Sequence, residues 1–478
     1  MRLAVVAQRF AEHAHPLVDR VVFHMPLRPY TLDQQIARDR PGRRLGQLPQ
    51  QIETEAANVD RPALPLDTAG YRVDCQIGHP ERRFLRIRDG SFMRIEVHQG
   101  RSLQQAIGIA STARRIVLKS LKAICLAATL IALPAHAQDQ ESPQQWLAQA
   151  APALLAEHDV PSVGVALIEN GKVVLATRYG EQEWGVEADE ETLYNVASLT
   201  KPITAEVVMR LAARGEIDLD RPLAQALVDP DIAEDPRAQK ITARMVMRHK
   251  TGLPHWRYET EGTLKFIADP GEKVGYSGEG YEWMMKAVEI WTGRDFEDLA
   301  RELVFDPAGM QLTSYTETSG FRGHLAMPYK KGESVRNVVR EKPSASDDLR
   351  TTPAEYARFM LSALDRPQIE GKLADQRSTV RDVTSYRPAC RESERAAFCP
   401  PKQGWGLGWF LYDYGNRVVL EHTGGDIGEK AIALFDPGTR RGVVVMTNGA
   451  NGHKVMMPIA GRLMGDPRLA ELLTAPYG

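Results

Sequence analysis

Ser198-Leu199-Thr200-Lys201 is the only Ser-x-x-Lys in this chain. It opens an apolar run, with Ile203, Val207, Val208 and Leu211 at helical spacing. On a helix, positions i and i+3 share a face, so the Lys201 amine lies beside the Ser198 hydroxyl. A serine hydroxyl is a weak nucleophile until a neighbouring base takes its proton. A desolvated lysine held against it supplies that base. The tetrapeptide alone proves little, because average residue usage puts about one such match in a chain of this length. Its weight comes from what surrounds it.

Upstream, Val163-Gly164-Val165-Ala166-Leu167-Ile168 reads as a strand, Asn170-Gly171 as a two-residue hairpin turn, and Lys172 to Thr177 as the returning strand. Downstream, about residues 204–375 are mainly helical in pattern, broken at Gly252-Leu253-Pro254, Asp269-Pro270-Gly271 and Asp306-Pro307. Residues 376–403 form an irregular, charged excursion. Strands return at Gly406 to Tyr412, Val418 to Glu421, Ala431 to Phe435 and Val443 to Met446, with a final helix over about 454–464. The expected class is α/β (α+β). An antiparallel sheet built from both ends of residues 138–478 is flanked by helices, and a mainly helical part is inserted between them.

Two further segments carry chemistry. Gly275-Tyr276-Ser277-Gly278 places a tyrosine on a tight turn before a helical run from Tyr281. A nearby ammonium that lowered its pKa would make the Tyr276 phenolate a general base; the plainer alternative is a structural tyrosine. Ser277 nearly sits in a Gly-x-Ser-x-Gly elbow, but Glu279 stands where the last glycine belongs. His422-Thr423-Gly424-Gly425 follows a strand. Glycines on an edge strand let a ligand approach the backbone and offer N–H donors to an oxyanion. Alone, the segment would equally suit a Gly-rich hairpin.

Taken in order, Ser198-x-x-Lys201, Tyr276-Ser277 and His422-Thr423-Gly424 resemble the serine β-lactamase / penicillin-binding-protein superfamily, in its class C-type branch. The Asn170-Gly171 hairpin, Tyr194-Asn195-Val196-Ala197, His249-Lys250-Thr251-Gly252-Leu253-Pro254 and Trp405-Gly406-x-Gly408-Trp409 extend the resemblance over about residues 145–465. It implies a β-lactamase/transpeptidase-like fold and an acyl-enzyme on Ser198. It also implies that Lys201 assists deprotonation and that Tyr276 shuttles protons and activates the deacylating water. The N–H groups of Ser198 and Gly425 would form the oxyanion hole. His422, Thr423 and Gly424 would contact substrate. His249 would hold a structural turn, and His255 is given no catalytic role.

Two departures bear on substrate. Gly278 stands where the family's Tyr-x-Asn has its amide, and His422 stands where many members have lysine. Both weaken recognition of a β-lactam or a peptide carboxylate, and histidine gives up a permanent charge near neutral pH. The expectation is therefore a serine hydrolase acting on esters or D-amino-acid-type amides. The alternatives are a β-lactam-acylated penicillin-binding protein and a non-catalytic relative. No cofactor or metal is expected; His13, His15 and Asp19 only faintly suggest metal spacing. The expected partner is a small-molecule ester, amide or peptide, with no nucleic acid.

Charge and cysteine usage speak to export. The formal net charge is -2, but residues 1–115 hold eighteen Arg, twelve Asp+Glu and no Lys, and the first lysine is Lys119. These arginines are scattered among prolines and glutamines, without the basic face that nucleic-acid binding uses. Arg114, Arg115, Lys119 and Lys122 precede the apolar run Ala123 to Leu133, followed by Ala135-His136-Ala137. That is the three-part pattern of a signal peptide over residues 116–137, with cleavage before Gln138 and a periplasmic or secreted product. Residues 1–115, without sustained period, then read as sequence upstream of a start near Met93 or Val117; the competing reading is a genuine N-terminal domain followed by an internal membrane anchor. Downstream remain only Cys390 and Cys399. They are expected to join in an oxidising compartment; two free thiols are the alternative.

Overall fold

A computed structural model describes residues 21–23, 75–78, 82–86, 92–95, 141–365, 369–391 and 396–476. The chain divides into two compact units, Met1–Ala137 and Gln138–Gly478. The first departs from the expectation of no regular structure. Val21–Phe23, Phe92–Ile95, Arg82–Arg86 and Cys75–Gly78 lie in that order in an antiparallel sheet. Strands of three to five residues carry too few side chains for an alternation to register. The signal-like stretch 116–137 and His13, His15 and Asp19 lie outside the described residues.

The second unit begins with helix α1, Pro143–His158, where Ser142 and Gln145 form a reciprocal capping box. Strands β1 (Ser162–Glu169), β2 (Lys172–Glu183) and β3 (Val186–Glu187) follow. After the helical region come β4 (Asp382–Val383), β5 (Lys402–Trp405), β6 (Phe410–Asp413), β7 (Val418–Asp426), β8 (Glu429–Asp436) and β9 (Arg441–Thr447). The sheet order is β4-β5-β6-β7-β8-β9-β1-β2-β3, antiparallel throughout. The two ends of the unit meet where β9 pairs with β1.

Both faces of this sheet are covered, which is why β1 reads as an unbroken apolar run. Val163, Val165 and Leu167 enter one core together with Val443 and Val445 of β9 and with helices α1, His453–Met464 and Pro467–Thr474. Ala166, Ile168, Val444 and Met446 enter the other. That second core contains helices α2 (Thr200–Ala213) and α3 (Gly278–Thr292) and the buried face of helix Pro353–Met360.

Several boundaries differ from the sequence expectation. Gly406 to Trp409 is a turn between β5 and β6 rather than strand. Gly408 has φ +76 and packs close against Ala205 of α2, room that only a glycine leaves. The excursion 376–403 is not wholly irregular, because its ends supply the outer strands β4 and β5. Helix α3 starts at Gly278, three residues early, because Ser277 caps it by accepting the Gly280 N–H. A second C-terminal helix, Pro467–Thr474, was not foreseen.

Candidate active site

Ser198 lies in a 3-10 turn, Ala197–Leu199, that runs directly into α2. A 3-10 turn brings i and i+3 over one another more closely than an α-helix does. The Lys201 ammonium is 3.1 Å from the Ser198 Oγ. Ala197, just before the nucleophile, holds a left-handed φ of 45. Such a backbone costs on the order of 1–3 kcal/mol and persists only when its surroundings enforce it. Here the Asn195 side-chain oxygen accepts the Ala197 N–H at 2.9 Å.

Lys201 is fully buried and donates a second hydrogen bond to the Ser346 carbonyl at 2.8 Å. Burial pulls its pKa well below the ordinary lysine value, opposed by the negative charges of Asp347 and Glu282. Glu282 in turn fixes the Ser346 segment by accepting from the Ser346 hydroxyl (2.6 Å), the Ser346 N–H (3.2 Å) and the Ser344 hydroxyl (2.7 Å). Neither Ser346 nor Glu282 belongs to a motif. Glu282 sits one turn into α3, and no spacing marks it.

Tyr276 faces this pair, its hydroxyl hydrogen-bonded to Ser198 and its ring 4.9 Å from the Lys201 nitrogen. Of the two readings of this tyrosine, its surroundings do not favour the one in which the ammonium ionises it. Burial pushes its pKa up, and the Ser198 hydrogen bond does not offset that. Tyr276 is a neutral phenol.

His249 sets the position of Tyr276. Its carbonyl accepts the Gly275 N–H at 2.8 Å and its Nδ1 accepts the Ser277 N–H at 3.2 Å, so both neighbours of Tyr276 are held by one residue. The rings of His249 and Tyr276 lie 4.3 Å apart, and Trp405 packs on His249 at the same distance. Ser277 is occupied as a helix cap and donates to the Pro254 carbonyl at 2.7 Å, which rules out the nucleophile elbow. His255 lies 5.1 Å from the Tyr276 ring.

The third motif lies on β7. That strand is interior in the sheet, yet β6 ends opposite Glu421, so His422 onward pairs only with β8. The residues His422 to Gly425 thus form a local edge inside a large sheet. Gly424 packs against the backbone of Val196 and Leu199, the turn that carries Ser198, and any side chain there would clash. His422, Thr423 and Gly425 line one cleft with Ser198 and Tyr276, of about 320 Å³. Its remaining wall combines the aromatic side chains of Tyr386, Trp405, Phe410 and Tyr412 with Arg387, Gln403 and Glu421, and comes partly from the excursion. Trp405 donates to the Tyr386 hydroxyl at 2.9 Å. Cys390 and Cys399 are joined by a disulfide, Cα atoms 5.5 Å apart, and close the loop next to Tyr386 and Arg387.

His422 is 3% exposed, and burial together with the Lys201 charge lowers its pKa to about 3. Its Nδ1 is 2.8 Å from the Thr423 carbonyl. A carbonyl only accepts, so Nδ1 carries the hydrogen and Nε2 keeps a bare lone pair. That Nε2 is buried without a partner. His249 and His255 are likewise held neutral, His255 at about 4, chiefly by burial. At Gly278, the other departure, an added Cβ would come within 2.9 Å of the Trp256 ring and 3.2 Å of the His255 carbonyl. Trp256 fills the space next to that position.

Among the described residues, one group of carboxylates could hold a cation: Asp347, Asp348 and Asp426, whose oxygens lie within 4.8 Å of one another.

The family model for Beta-lactamase matches residues 147–462. Penicillin-binding protein 4 of Amycolatopsis lactamdurans is 25% identical over 352 residues, covering 68% of this chain and 91% of that protein. Protein flp of Staphylococcus aureus (strain N315) is 22% identical over 321 residues, and the chain spans 62% of its length. Among solved structures, the octameric penicillin-binding protein homologue from Pyrococcus abyssi aligns with a TM-score of 0.57 at 20% identity, covering 68% of this chain and 77% of that one. D-alanine carboxypeptidase AmpC from Burkholderia cenocepacia aligns at 0.55 and 20%, covering 68% and 98%. At these identities the structures attest the shared fold: a large antiparallel sheet between helical layers. The family match spans well over half of the chain and takes in every residue of the cleft, so this protein belongs to the beta-lactamase family, among the serine β-lactamases and penicillin-binding proteins.

Proposed function

We propose that this chain is a serine hydrolase that forms an acyl-enzyme on Ser198 and acts on esters or D-amino-acid-type amides rather than as a dedicated β-lactamase. The observation that carries this reading is the buried Lys201 amine 3.1 Å from the Ser198 hydroxyl, with the Tyr276 phenol on the other side. In acylation, Ser198 Oγ bonds to the substrate carbonyl carbon while its proton passes to neutral Lys201. The bond from that carbon to the leaving oxygen or nitrogen then breaks. The proton held by Lys201 ends on the leaving group, with the Tyr276 hydroxyl as relay. Water attacks the acyl carbon, gives a proton back through the same groups, and releases the acid and a free Ser198. The N–H groups of Ser198 and Gly425 would hold the oxyanion.

The case against a dedicated β-lactamase rests on two residues. Trp256 crowds the place beside Gly278, where an amide side chain would reach a substrate amide. His422 offers a lone pair, not a cation, to a substrate carboxylate. The decisive comparison is the wild-type protein against Ser198→Ala with a short-chain nitrophenyl ester, a D-alanyl amide and a chromogenic cephalosporin, together with a fluorophosphonate label. Ester or amide turnover and labelling that vanish in the variant support the reading. Labelling that survives in Ser198→Ala refutes Ser198 as nucleophile. A stable penicilloyl adduct without turnover would instead mark a β-lactam-acylated binding protein.

Export belongs to the same proposal. It is supported by the signal-like residues 116–137, by the compact unit that starts at Gln138 and by the Cys390–Cys399 disulfide. Intact mass of protein made from its own gene tests it. A product that retains residues 1–115 would refute the cleavage.

A further inference from the structure

We propose that Asp347, Asp426 and Glu429 form a subsite for the ammonium group of the substrate's acyl part, next to the nucleophile and on a different flank from His422. The proposal rests on the acyl-enzyme reading above and assigns a substrate class to it: free aminoacyl esters or amides.

The geometry begins with the β7–β8 hairpin. Asp426 and Glu429 stand directly opposite in its register, so their side chains leave the same face. Like charges in that relation repel, and a sheet tolerates them only where something offsets the repulsion. Asp347 and Asp348 converge on the same place, the oxygens of both within 4.8 Å of those of Asp426. Asp348 is already neutralised, paired with Arg340 and lying 3.8 Å from Arg350. Asp347 and Asp426 have no ion-pair partner among the described residues; each accepts one neighbouring backbone N–H, from Asp348 and Ile427. Lys430 spends its ammonium on the backbone carbonyls of Asp426 and Glu429, not on their carboxylates.

An independent observation points to a missing ligand. Glu429 is 4% exposed, yet its Oε1 has no hydrogen-bond partner. Its Oε2 accepts from the Asn195 amide at 3.2 Å, and the same amide reaches Asp348 at 3.5 Å, which turns the carboxyl toward the cluster. An unpaired buried carboxyl is costly unless a cation or a proton completes it. Burial raises its pKa to about 8, opposed by the Arg350 charge and reinforced by the neighbouring Asp carboxylates, which is the proton's answer. A bound ammonium would replace that proton.

The cluster touches the nucleophile's support on three sides. Asn195 holds the strained Ala197 beside Ser198. Asp347 follows Ser346, whose carbonyl receives the Lys201 amine. Asp426 follows Gly425, which lines the Ser198 cleft. An ammonium on the carbon next to a scissile carbonyl suits that adjacency. It needs only two or three acceptors from its three N–H donors. A divalent metal would need more oxygens, and Asp348 is already taken by arginine. Asp347, its own pKa raised to about 7 by burial and by Asp348, helps keep Lys201 protonated when it is ionised. Occupation by a substrate ammonium would remove that support and favour the neutral lysine that takes the Ser198 proton.

The test compares D-alanine 4-nitroanilide with propionyl 4-nitroanilide, the same acyl group without the ammonium, on the full chain. The expected preference in kcat/KM is at least about tenfold for the amine, equivalent to ~1.4 kcal/mol. Asp426→Asn and Asp347→Asn should each move the ratio toward unity, mainly through KM. Asp426 is exposed, so its variant separates charge from folding. Equal rates, or a ratio unchanged in both variants, overturn the subsite while leaving Ser198 labelling and ester turnover intact. A preference that needs added Mg²⁺ or Ca²⁺ and disappears in EDTA overturns it in favour of a metal. If neither anilide is cleaved, calorimetric affinities of D-alaninamide and propionamide decide. The same preference, lost in Asp426→Asn, supports the subsite, and equal affinities refute it.

Discussion

Ser198 stands between two flanks of opposite character. On one side lie His422, Trp405 and Tyr386, with His249 and His255 behind Tyr276; burial keeps all three histidines neutral. On the other lie Asp347, Asp426 and Glu429, with carboxylates that exceed their nearby partners. The difference teaches how charge is divided around one nucleophile. On the readings proposed above, the buried histidines offer a substrate carboxylate no imidazolium, and the acidic flank offers an ammonium its acceptors. Lys201 lies between them, its pKa lowered by burial and held up by Asp347. The same residue thus feels both flanks.

The largest expected effect removes the centre itself. Ser198→Ala and Lys201→Ala should each lower kcat for a nitrophenyl ester at least ~10³-fold, since nucleophile and base act as a unit. Residual turnover near the wild-type rate would dissolve the comparison by moving the chemistry elsewhere.

Next comes an inversion of the neutral flank. His422→Lys would restore a cation where Nε2 now offers a lone pair. Activity toward a substrate with a free carboxylate in its leaving group should rise ~10–100-fold relative to its methyl ester, the worth of a charge-assisted hydrogen bond of ~1.5–3 kcal/mol. No change in that ratio would mean that His422 does not face the leaving group.

His249→Ala should lower kcat about tenfold or more with little change in KM, because it frees both neighbours of Tyr276. His249→Asn, which can still accept the Ser277 N–H, should recover part of the loss. Equal losses in both would point to packing instead.

The pH profile tests Lys201 directly. The neutral amine is the base and is populated above its pKa, so kcat/KM should rise with pH through one limb. Burial places that limb below the ordinary lysine range. The histidines should add no limb between pH 6 and 7, because His422 and His255 ionise near 3 and 4, whereas Asp347, raised to about 7 by burial and by Asp348, ionises close to that range. A limb at the ordinary histidine value that persists in Asp347→Asn would overturn the neutral histidines.

The smallest effect concerns the wall. Opening the Cys390–Cys399 bridge, nine residues apart in sequence, should cost ~2–3 kcal/mol by loop entropy. It should raise KM modestly by loosening Tyr386, while Ser198 labelling persists. Thermal denaturation with and without reductant reads the first, and ester kinetics the second.

Much of this site was legible in the sequence because its chemistry is local. Ser198 and Lys201 are three residues apart, and any helical turn brings them together. The continuous apolar run Val163 to Ile168 marked a strand covered on both faces. The glycine pair after His422 marked a place where backbones approach, and Gly424 does lie against Val196. The illegible parts depend on long-range neighbours. Glu282 and Ser346 are 64 residues apart and belong to no motif. Gly406 to Trp409 read as strand because its apolar residues pack against α2 rather than along the sheet. Whether Tyr276 ionises is not legible in the sequence, because a sequence does not state burial.

The sequence by itself determined which groups are the candidates for the chemistry. A nucleophile, an amine three residues on, a tyrosine on a tight turn and a Gly-rich strand are set by covalent spacing and turn chemistry, and they fix the family. Only the tertiary structure decided the charge states and the two flanks. Desolvation and the proximity of distant carboxylates set pKa values and tautomers, and both depend on the fold. His422 is a neutral acceptor, and Asp347, Asp426 and Glu429 gather at one place, because the fold brings the segments at residues 195, 347 and 426 together beside the turn that carries Ser198.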